Sequence, residues 1–420
     1  MQAHKPLTIG LFGFGVVGEG LFKVLQQTPS LNATIKKICI KNPKKERNAP
    51  AKLFTTDKNK LLLDPDINVI VEVIDDADAA FSIVTTAMQN NKSVVSASKK
   101  MIANHFSELL IMQRATRQSF LYEAAAGASI PIIRNLEEYY DNDLLHSMRA
   151  IVNGSTNFIL TKMFAEDLPY KQALLMARQL GYAESDPTLD VDGFDAANKW
   201  AFLLTHAYGI IVKPSAIVFT GIQNIQSSDA AAAKEKGFVI KLVVQAKKLS
   251  TGKIATFVLP QFVRQDDHLS FVQHEYNGFV IESGFSDKQF FYGKGAGSFP
   301  TASAILSDLS AHRYDYRYEY KKLYHHIPHE LSHDFYLQVY VGFNDNKNVP
   351  LEKFKHISEM HKSGDRKYAI GILSFKELRE NRWWKENQVS LIVMPECILE
   401  ESDMNIFDPV ILEEIQNIEI

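Results

Sequence analysis

The first 135 residues alternate short, almost wholly apolar runs with stretches whose apolar positions recur every three to four residues. LTIGLF (7–12) predicts a buried strand, and 16–27 a helix that turns Val17, Leu21, Val24 and Leu25 inward. Further strands are expected at 35–40, 67–74, 93–96 and 119–123, with helices over about 77–91 and 104–117. Nearly continuous apolar strands separated by amphipathic helices predict a parallel sheet covered on both faces. From about 145 to 300 the strand-like segments instead alternate apolar and polar positions, as in GKIATFVLPQFV and DHLSFVQHEYNGFVIES. Helical patterns over 170–180 and 192–208 lie between them, which predicts an α+β domain. The run YDYRYEYKKLYHHIPHE (314–330) is aromatic, charged and aperiodic, and a linker is expected there. The tail is read as strand 335–343, helix 351–361, strand 368–375, a polar helix and strand 389–394.

Composition narrows the class. Lys+Arg minus Asp+Glu is 46 − 49 = −3, and 46% of the 420 residues are hydrophobic, which excludes wholesale disorder and fibrous repeats. Net acidity without a basic stripe argues against a nucleic-acid partner. No apolar run reaches the roughly 20 residues needed to span a bilayer, so no membrane partner is expected. With only Cys39 and Cys397 there is no disulfide framework, and a cytoplasmic location is expected.

Between the first strand and the first helix lies Gly13-Phe14-Gly15-Val16-Val17-Gly18, a G-x-G-x-x-G turn. Its glycines permit a tight turn and close approach of backbone N–H groups to a pyrophosphate, so this Rossmann-type turn is expected to bind a dinucleotide. The second strand ends in Lys41-Asn42, without the acid that would hold an NAD ribose, and Lys44, Lys45 and Arg47 follow. That favours NADP, with NAD as the second possibility and a solvated basic loop as the plain reading. Glu184, Asp186, Asp190, Asp192 and Asp195 fall within a dozen residues, and Lys199 stands four positions after Asp195 on a predicted helix. An amino acid substrate needs carboxylates for its ammonium and a proton-transfer group for its oxygen; a solvent-facing ion pair is the alternative. IVNGSTN (151–157) and the glycine loop 291–304 are either ligand-contacting turns or ordinary caps.

Taken together, VVSASKK (94–100), YEAAAGASIPII (122–133), IVNGSTNFIL (151–160), LGYAESDPTLDVDGFDAANKWA (180–201) and YGKGAGSFPTASA (292–304) resemble the homoserine dehydrogenase family over about the first 315 residues. The resemblance implies NAD(P)-dependent interconversion of L-homoserine and L-aspartate 4-semialdehyde. It implies Lys199 as catalytic lysine, Asp195 as its supporting acid, and Lys99 beside nicotinamide and substrate. Glu184, Asp190, Gly154 and Ser155 are then substrate-binding, and Ser96 and Gly297 face the cofactor. A monovalent cation, Na+ or K+, is implied at Glu123, Ala126, Ala128 and Ile130, and a homodimer by analogy. Asn is replaced by Ser98 before the first lysine, and a glycine pair by Asp75-Asp76, which puts carboxylates near the expected cofactor.

The expected organisation is a Rossmann domain over 1–135, completed by a helix around 300–313, then a catalytic and dimerisation domain over 136–299. A linker (314–330) leads to a small ACT-like α+β region, 331–420. Its loop 344–350 has no glycine and ends in a proline, so no strong threonine inhibition is expected. Two other functions stay open from sequence: an NADP-dependent oxidoreductase of another amino acid, and a non-catalytic nucleotide-sensing homologue.

Overall fold

The computed structural model describes residues 6–142, 144–184, 186–363 and 366–407. Residues 408–420 of the expected tail lie outside them. The chain divides into two compact units: residues 1–143, 198–214 and 293–328 in one, 144–197, 215–292 and 329–420 in the other.

The first unit carries a six-stranded sheet of β1 (Leu7–Phe12), β2 (Ala33–Cys39), β3 (Phe54–Thr55), β4 (Val69–Glu72), β5 (Ser93–Ser96) and β6 (Phe120–Leu121). Their order is β3-β2-β1-β4-β5-β6, and every pairing is parallel. This doubly wound order places ligands at the carboxyl ends of the strands. Ile9, Leu11, Val69, Ile70 and Val71 are buried, as continuous apolar strands require. Two expectations change. The strand at 119–123 stops at Leu121, because EAAAG continues as a short helix, Glu123–Gly127. The helix at 104–117 becomes two, Lys99–Asn104 and Phe106–Thr116, broken at His105, whose ring stacks on Phe81 at 4.0 Å.

The aromatic run 314–330, expected as a linker, is mostly exposed but packed at its middle, where Tyr318, Tyr320 and Lys322 are buried. Tyr320 and Tyr122 hydroxyls meet at 3.0 Å, and Tyr122 also contacts His206 Nε2 at 2.7 Å. His206 Nδ1 lies 2.6 Å from Glu137, whose other oxygen accepts the Tyr320 backbone N–H at 3.0 Å. Lys322 Nζ closes the group by donating to the Leu136 and His206 carbonyls.

The second unit carries a nine-stranded sheet. Its members are β7 (Leu145–Ile151), β8 (Phe238–Lys248), β9 (Ile254–Arg264), β10 (Tyr276–Ser283), β11 (Asp287–Lys294), β12 (Tyr336–Phe343), β13 (His356–Ser363), β14 (Arg366–Ser374) and β15 (Ser390–Leu399). The order is β11-β10-β7-β8-β9-β15-β12-β14-β13. The helix expected at 351–361 is instead one 3-10 turn, Leu351–Lys353, followed by β13. A strand wins there because residues 356–363 have an antiparallel partner, β14, directly after them. The parallel crossover from β12 to β13, where a helix is usual, carries only 3-10 turns. The tail joins the sheet through β15, parallel to β9 at Val393 and Gln261. It also shares one core with it: Phe257 and Leu259 of β9 pack with Leu337, Val339, Val341 and Trp384. Burying each such side chain contributes about 1.5–3 kcal/mol, so much of what holds the tail comes from the strands before it.

Candidate active site

In the first unit the glycine turn is built as its spacing predicts. Gly13 has φ +98°, and a Cβ there would sit 2.8 Å from the Val73 carbonyl oxygen. At Gly18 it would lie 2.3 Å from the Gly13 oxygen, so only glycine lets the helix Val16–Gln26 pack so close to the turn. A Cβ at Gly15 would meet nothing within 4 Å, so the turn has open space beside that position. The helix Ser298–His312 starts beside the same turn, with Ser298 Oγ donating to the Val16 carbonyl at 2.7 Å. Gly297 thus precedes a second helix N-terminus next to Val16 and Val17, and two positive helix ends adjoin there.

A cavity of about 540 Å³ opens between Phe14-Gly15-Val16 and Lys45-Glu46-Arg47-Asn48. Phe14 packs edge-on against Phe54 at 5.2 Å, and the Arg47 guanidinium lies over the Phe54 ring at 5.6 Å. Lys45 and Arg47 line this cavity, whereas Lys41 is exposed outside its lining.

Glu72, which sequence reasoning did not single out, closes β4. Its carboxyl accepts the Ile74 N–H at 2.7 Å and the Ser96 hydroxyl at 2.6 Å, and Ser96 Oγ accepts the Ser98 N–H at 3.1 Å. Burial pushes the Glu72 carboxyl up to about 7, with those two hydrogen bonds opposing it. The chain Glu72–Ser96–Ser98 fixes the turn from which Lys99 opens its helix, exposed to solvent. The only sequence signal for Glu72 was an acid inside the apolar run 67–74. The Asp75-Asp76 pair finds a local use, since Asp76 Oδ1 accepts the Ala79 N–H at 3.0 Å and caps the helix Ala77–Gln89.

The expected cation loop, 123–130, is tightly made. Both Glu123 carboxyl oxygens are engaged by backbone, accepting from Ile133 at 2.7 Å and Arg134 at 3.1 Å. Burial pushes that carboxyl up to about 7. Ala126 is buried, and Ala128 has φ +46°, a strained value for alanine. The Ile130 carbonyl accepts the Ile132 N–H at 2.8 Å. Among the described residues, no group of three or more His, Cys, Asp or Glu side chains could hold a metal ion.

In the second unit the acid-rich segment converges on one amide. Asn153 Nδ2 donates to Asp190 at 2.7 Å and to Asp195 at 2.8 Å. Its Oδ1 accepts the Thr156 N–H at 2.9 Å, capping the helix Gly154–Ala165. Asn153 lay in a segment flagged by sequence, but the residue itself was missed; its signal was N-x-x-T at a strand-to-helix junction. Ser155 Oγ donates to the Tyr182 carbonyl at 2.5 Å, while Glu184 is exposed on the turn before the helix Thr188–Val191. Asp195 is buried near the start of the continuous helix Phe194–Tyr208, and Lys199, also buried, follows it by one turn.

Below this, Lys241 of β8 is buried and donates to Asn157 Oδ1 at 3.0 Å and to the Val272 carbonyl. Burial pushes its ammonium down to about 7. Between that value and the ordinary lysine range near 10.5, the unfolded chain binds the extra proton, so stability gains with rising pH there. Lys241→Met should therefore compare most favourably with the natural chain at pH 6 and lose ground towards pH 9. Denaturant midpoints taken across that window check the sign; a constant difference would refute it.

Residues 13–123 match the family described as "Homoserine dehydrogenase, NAD binding domain", and residues 131–310 that described as "Homoserine dehydrogenase". The chain is 36% identical over 316 residues to the homoserine dehydrogenase of Bacillus subtilis, covering 73% of each. It is 35% identical over 312 residues to that of Helicobacter pylori, again 73% of each. Among solved structures, a homoserine dehydrogenase from Thiobacillus denitrificans superposes with TM-score 0.79 at 26% identity, covering 94% of this chain and 99% of that one. A hyperthermophilic archaeal homoserine dehydrogenase in complex with NADPH gives 0.63 at 25%, covering 75% and 99%. No helix among the described residues is long and apolar enough to cross a membrane. The glycine turn, the Asn153-linked acids and Lys199 all fall inside the residues these family descriptions match, and the chain belongs to the homoserine dehydrogenase family, NAD(P)-dependent oxidoreductases acting on a CH–OH group.

Proposed function

We propose that this chain interconverts L-homoserine and L-aspartate 4-semialdehyde, with Lys199 transferring the proton on the reacting oxygen. The observation that carries the reading is the pair Asp190 and Asp195, drawn together by Asn153 one turn before a buried lysine. A nicotinamide cofactor supplies and accepts the hydride; the protein supplies placement and the proton. Asp190, with Glu184, suits the substrate ammonium, and Gly154 and Ser155 its polar end. Asp195 orients Lys199. Lys99, at the start of its helix and fixed by the Ser96–Ser98 turn, suits the side where nicotinamide and substrate meet. Steady-state oxidation of homoserine, with NAD and NADP side by side, tests this directly, and turnover of other hydroxy amino acids at equal efficiency would count against it.

NADP is the cofactor this reading favours. Lys45 and Arg47 line the cavity beside the glycine turn, and no carboxylate ends β2. Lys45→Ala/Arg47→Ala should raise KM for NADP by about tenfold or more, and that for NAD far less, the loss of one or two charge-assisted contacts. An equal effect on both would leave the loop as solvated surface.

A monovalent cation at the 123–130 turn would draw on Glu123 and the backbone carbonyls of Ala126, Ala128 and Ile130; the Glu123 carboxyl oxygens and the Ile130 carbonyl each already accept one N–H and keep a second lone pair. Activity in potassium chloride against choline chloride tests that assignment. A homodimer is the expected assembly, and sedimentation equilibrium measures it.

A further inference from the structure

We propose that Asn153 is a positioning residue that clamps the two site carboxylates with a single amide, and that its helix cap is what aims the amide at them. This rests on the reading of Asp190 as a substrate acid and Asp195 as the partner of Lys199.

The orientation of the amide is not free. Oδ1 accepts both the Thr156 N–H at 2.9 Å and the Thr156 hydroxyl at 3.0 Å. A flip would point N–H hydrogens at the N-terminal N–H group of the helix Gly154–Ala165, so the capping geometry fixes Nδ2 on the opposite side. There the two amide hydrogens each meet a carboxylate, Asp190 at 2.7 Å and Asp195 at 2.8 Å. All the polar capacity of the side chain is spent in one arrangement, and Asn153 itself is buried.

Two carboxylates sharing one neighbour repel each other, and an apolar spacer would let them drift apart. An amide is the one uncharged side-chain group that donates to both at once while keeping an acceptor for the helix. The backbone reinforces the placement. The Val191 carbonyl accepts the Ile222 N–H at 2.8 Å, and the Gly193 N–H returns to the Asp190 carbonyl at 3.1 Å. Asp190 therefore sits on a braced turn and Asp195 on a helix, and the amide links the two. Glu72 with Ser96 forms a comparable buried pair, but it orders a turn rather than joining two site acids.

The separation of cap from clamp makes the inference testable. Aspartate is as good an N-cap as asparagine. Asn153→Asp therefore keeps the helix start and replaces the two donors by a third carboxylate facing two others. With soluble full-length protein, Asn153→Asp should lower kcat/KM for homoserine by about 10²-fold, the scale expected when reacting groups lose registration. The loss should divide between a higher homoserine KM, through Asp190, and a lower kcat, through Asp195 and Lys199. Binding of NADPH by fluorescence titration should be unchanged, because the glycine turn is untouched. Asn153→Ser, which caps but cannot reach both acids, should show the same split and serves if the aspartate variant does not fold. A purely structural cap would give the reverse pattern, near-normal kinetics in both variants, and kcat/KM within about threefold of the natural enzyme in either would overturn the clamp. Natural enzyme that binds NADPH but fails to oxidise homoserine would instead overturn the functional reading, and the inference with it.

Discussion

Lys199→Ala is expected to lower kcat for homoserine oxidation by about 10²–10⁴-fold, the range for losing a general acid–base. Lys199 is buried, one turn after Asp195, whose position the Asn153 amide fixes. An ordinary lysine near 10.4 is a poor proton exchanger at neutral pH, so a lysine in this role works from a site where its amine can exchange the proton with the substrate oxygen. Arginine at 199 separates charge from proton transfer: it keeps the cation but cannot deprotonate in a protein. Lys199→Arg should thus be nearly as slow as Lys199→Ala, with homoserine KM less affected. Pre-steady-state and steady-state rates with both variants decide it; an arginine variant with near-normal turnover would reduce Lys199 to an electrostatic role.

The largest effect on stability is expected at Glu137. Its carboxylate is buried and serves two partners, His206 at 2.6 Å and the Tyr320 N–H at 3.0 Å. Burial works against its charge, but His206, the Tyr320 N–H and Lys322 together hold it below the usual carboxylate range. Burial meanwhile pushes the Lys322 ammonium down to about 8. Glu137→Ala removes the common acceptor and leaves a buried imidazole, a backbone N–H and a lysine uncompensated, a cost of about 3–5 kcal/mol. Glu137→Gln keeps the shape and one acceptor and should cost less. Urea midpoints at pH 7 measure both, and a loss under about 1 kcal/mol for the alanine variant would show the group to be dispensable. The sign with pH follows from the lowered carboxyl: its contribution is present above the unfolded carboxylate range and fades as pH falls through the folded value.

Legibility differed between the two units for physical reasons. Parallel strands buried on both faces write themselves as apolar runs, so 7–12 and 93–96 are recovered to the residue. The helices at 16–26, 170–179 and 194–208 followed their period closely. Residues 351–361 read as a helix because the His, Ile and Met positions of 356–361 satisfy either period, and only the partner strand β14 decides between them. The run 314–330 read as a linker because its tyrosines and lysines look polar in sequence. Yet the Tyr320 hydroxyl meets Tyr122, and the Lys322 ammonium meets the Leu136 and His206 carbonyls, all far away along the chain. At the site, the glycine turn and the acids were legible as motifs, while Asn153 and Glu72 act through partners that only folding brings near. Lys41 was chosen by its place after β2, yet the cavity takes Lys45 and Arg47, because the chain turns between them.

The parallel seam between β9 and β15 has a consequence for anyone who shortens this protein. β9 is buried along nearly its whole length, from Ile254 to Val263; on the flank away from β8 it meets β15 at Gln261, Leu331 at Ile254 and Phe219 at Val258. Cutting the chain after Glu330 would remove that pairing and uncover Phe257 and Leu259, leaving this flank of IATFVLPQFV covered only at Val258, by the 218–220 segment, with Pro260 the one residue along it that discourages docking. Such flanks recruit other strands, and the shortened protein should precipitate or assemble edge to edge rather than report on regulation. The tail acts here as a built-in guard against aggregation, and its response to amino acids is better probed by point changes in 344–350 than by deletion.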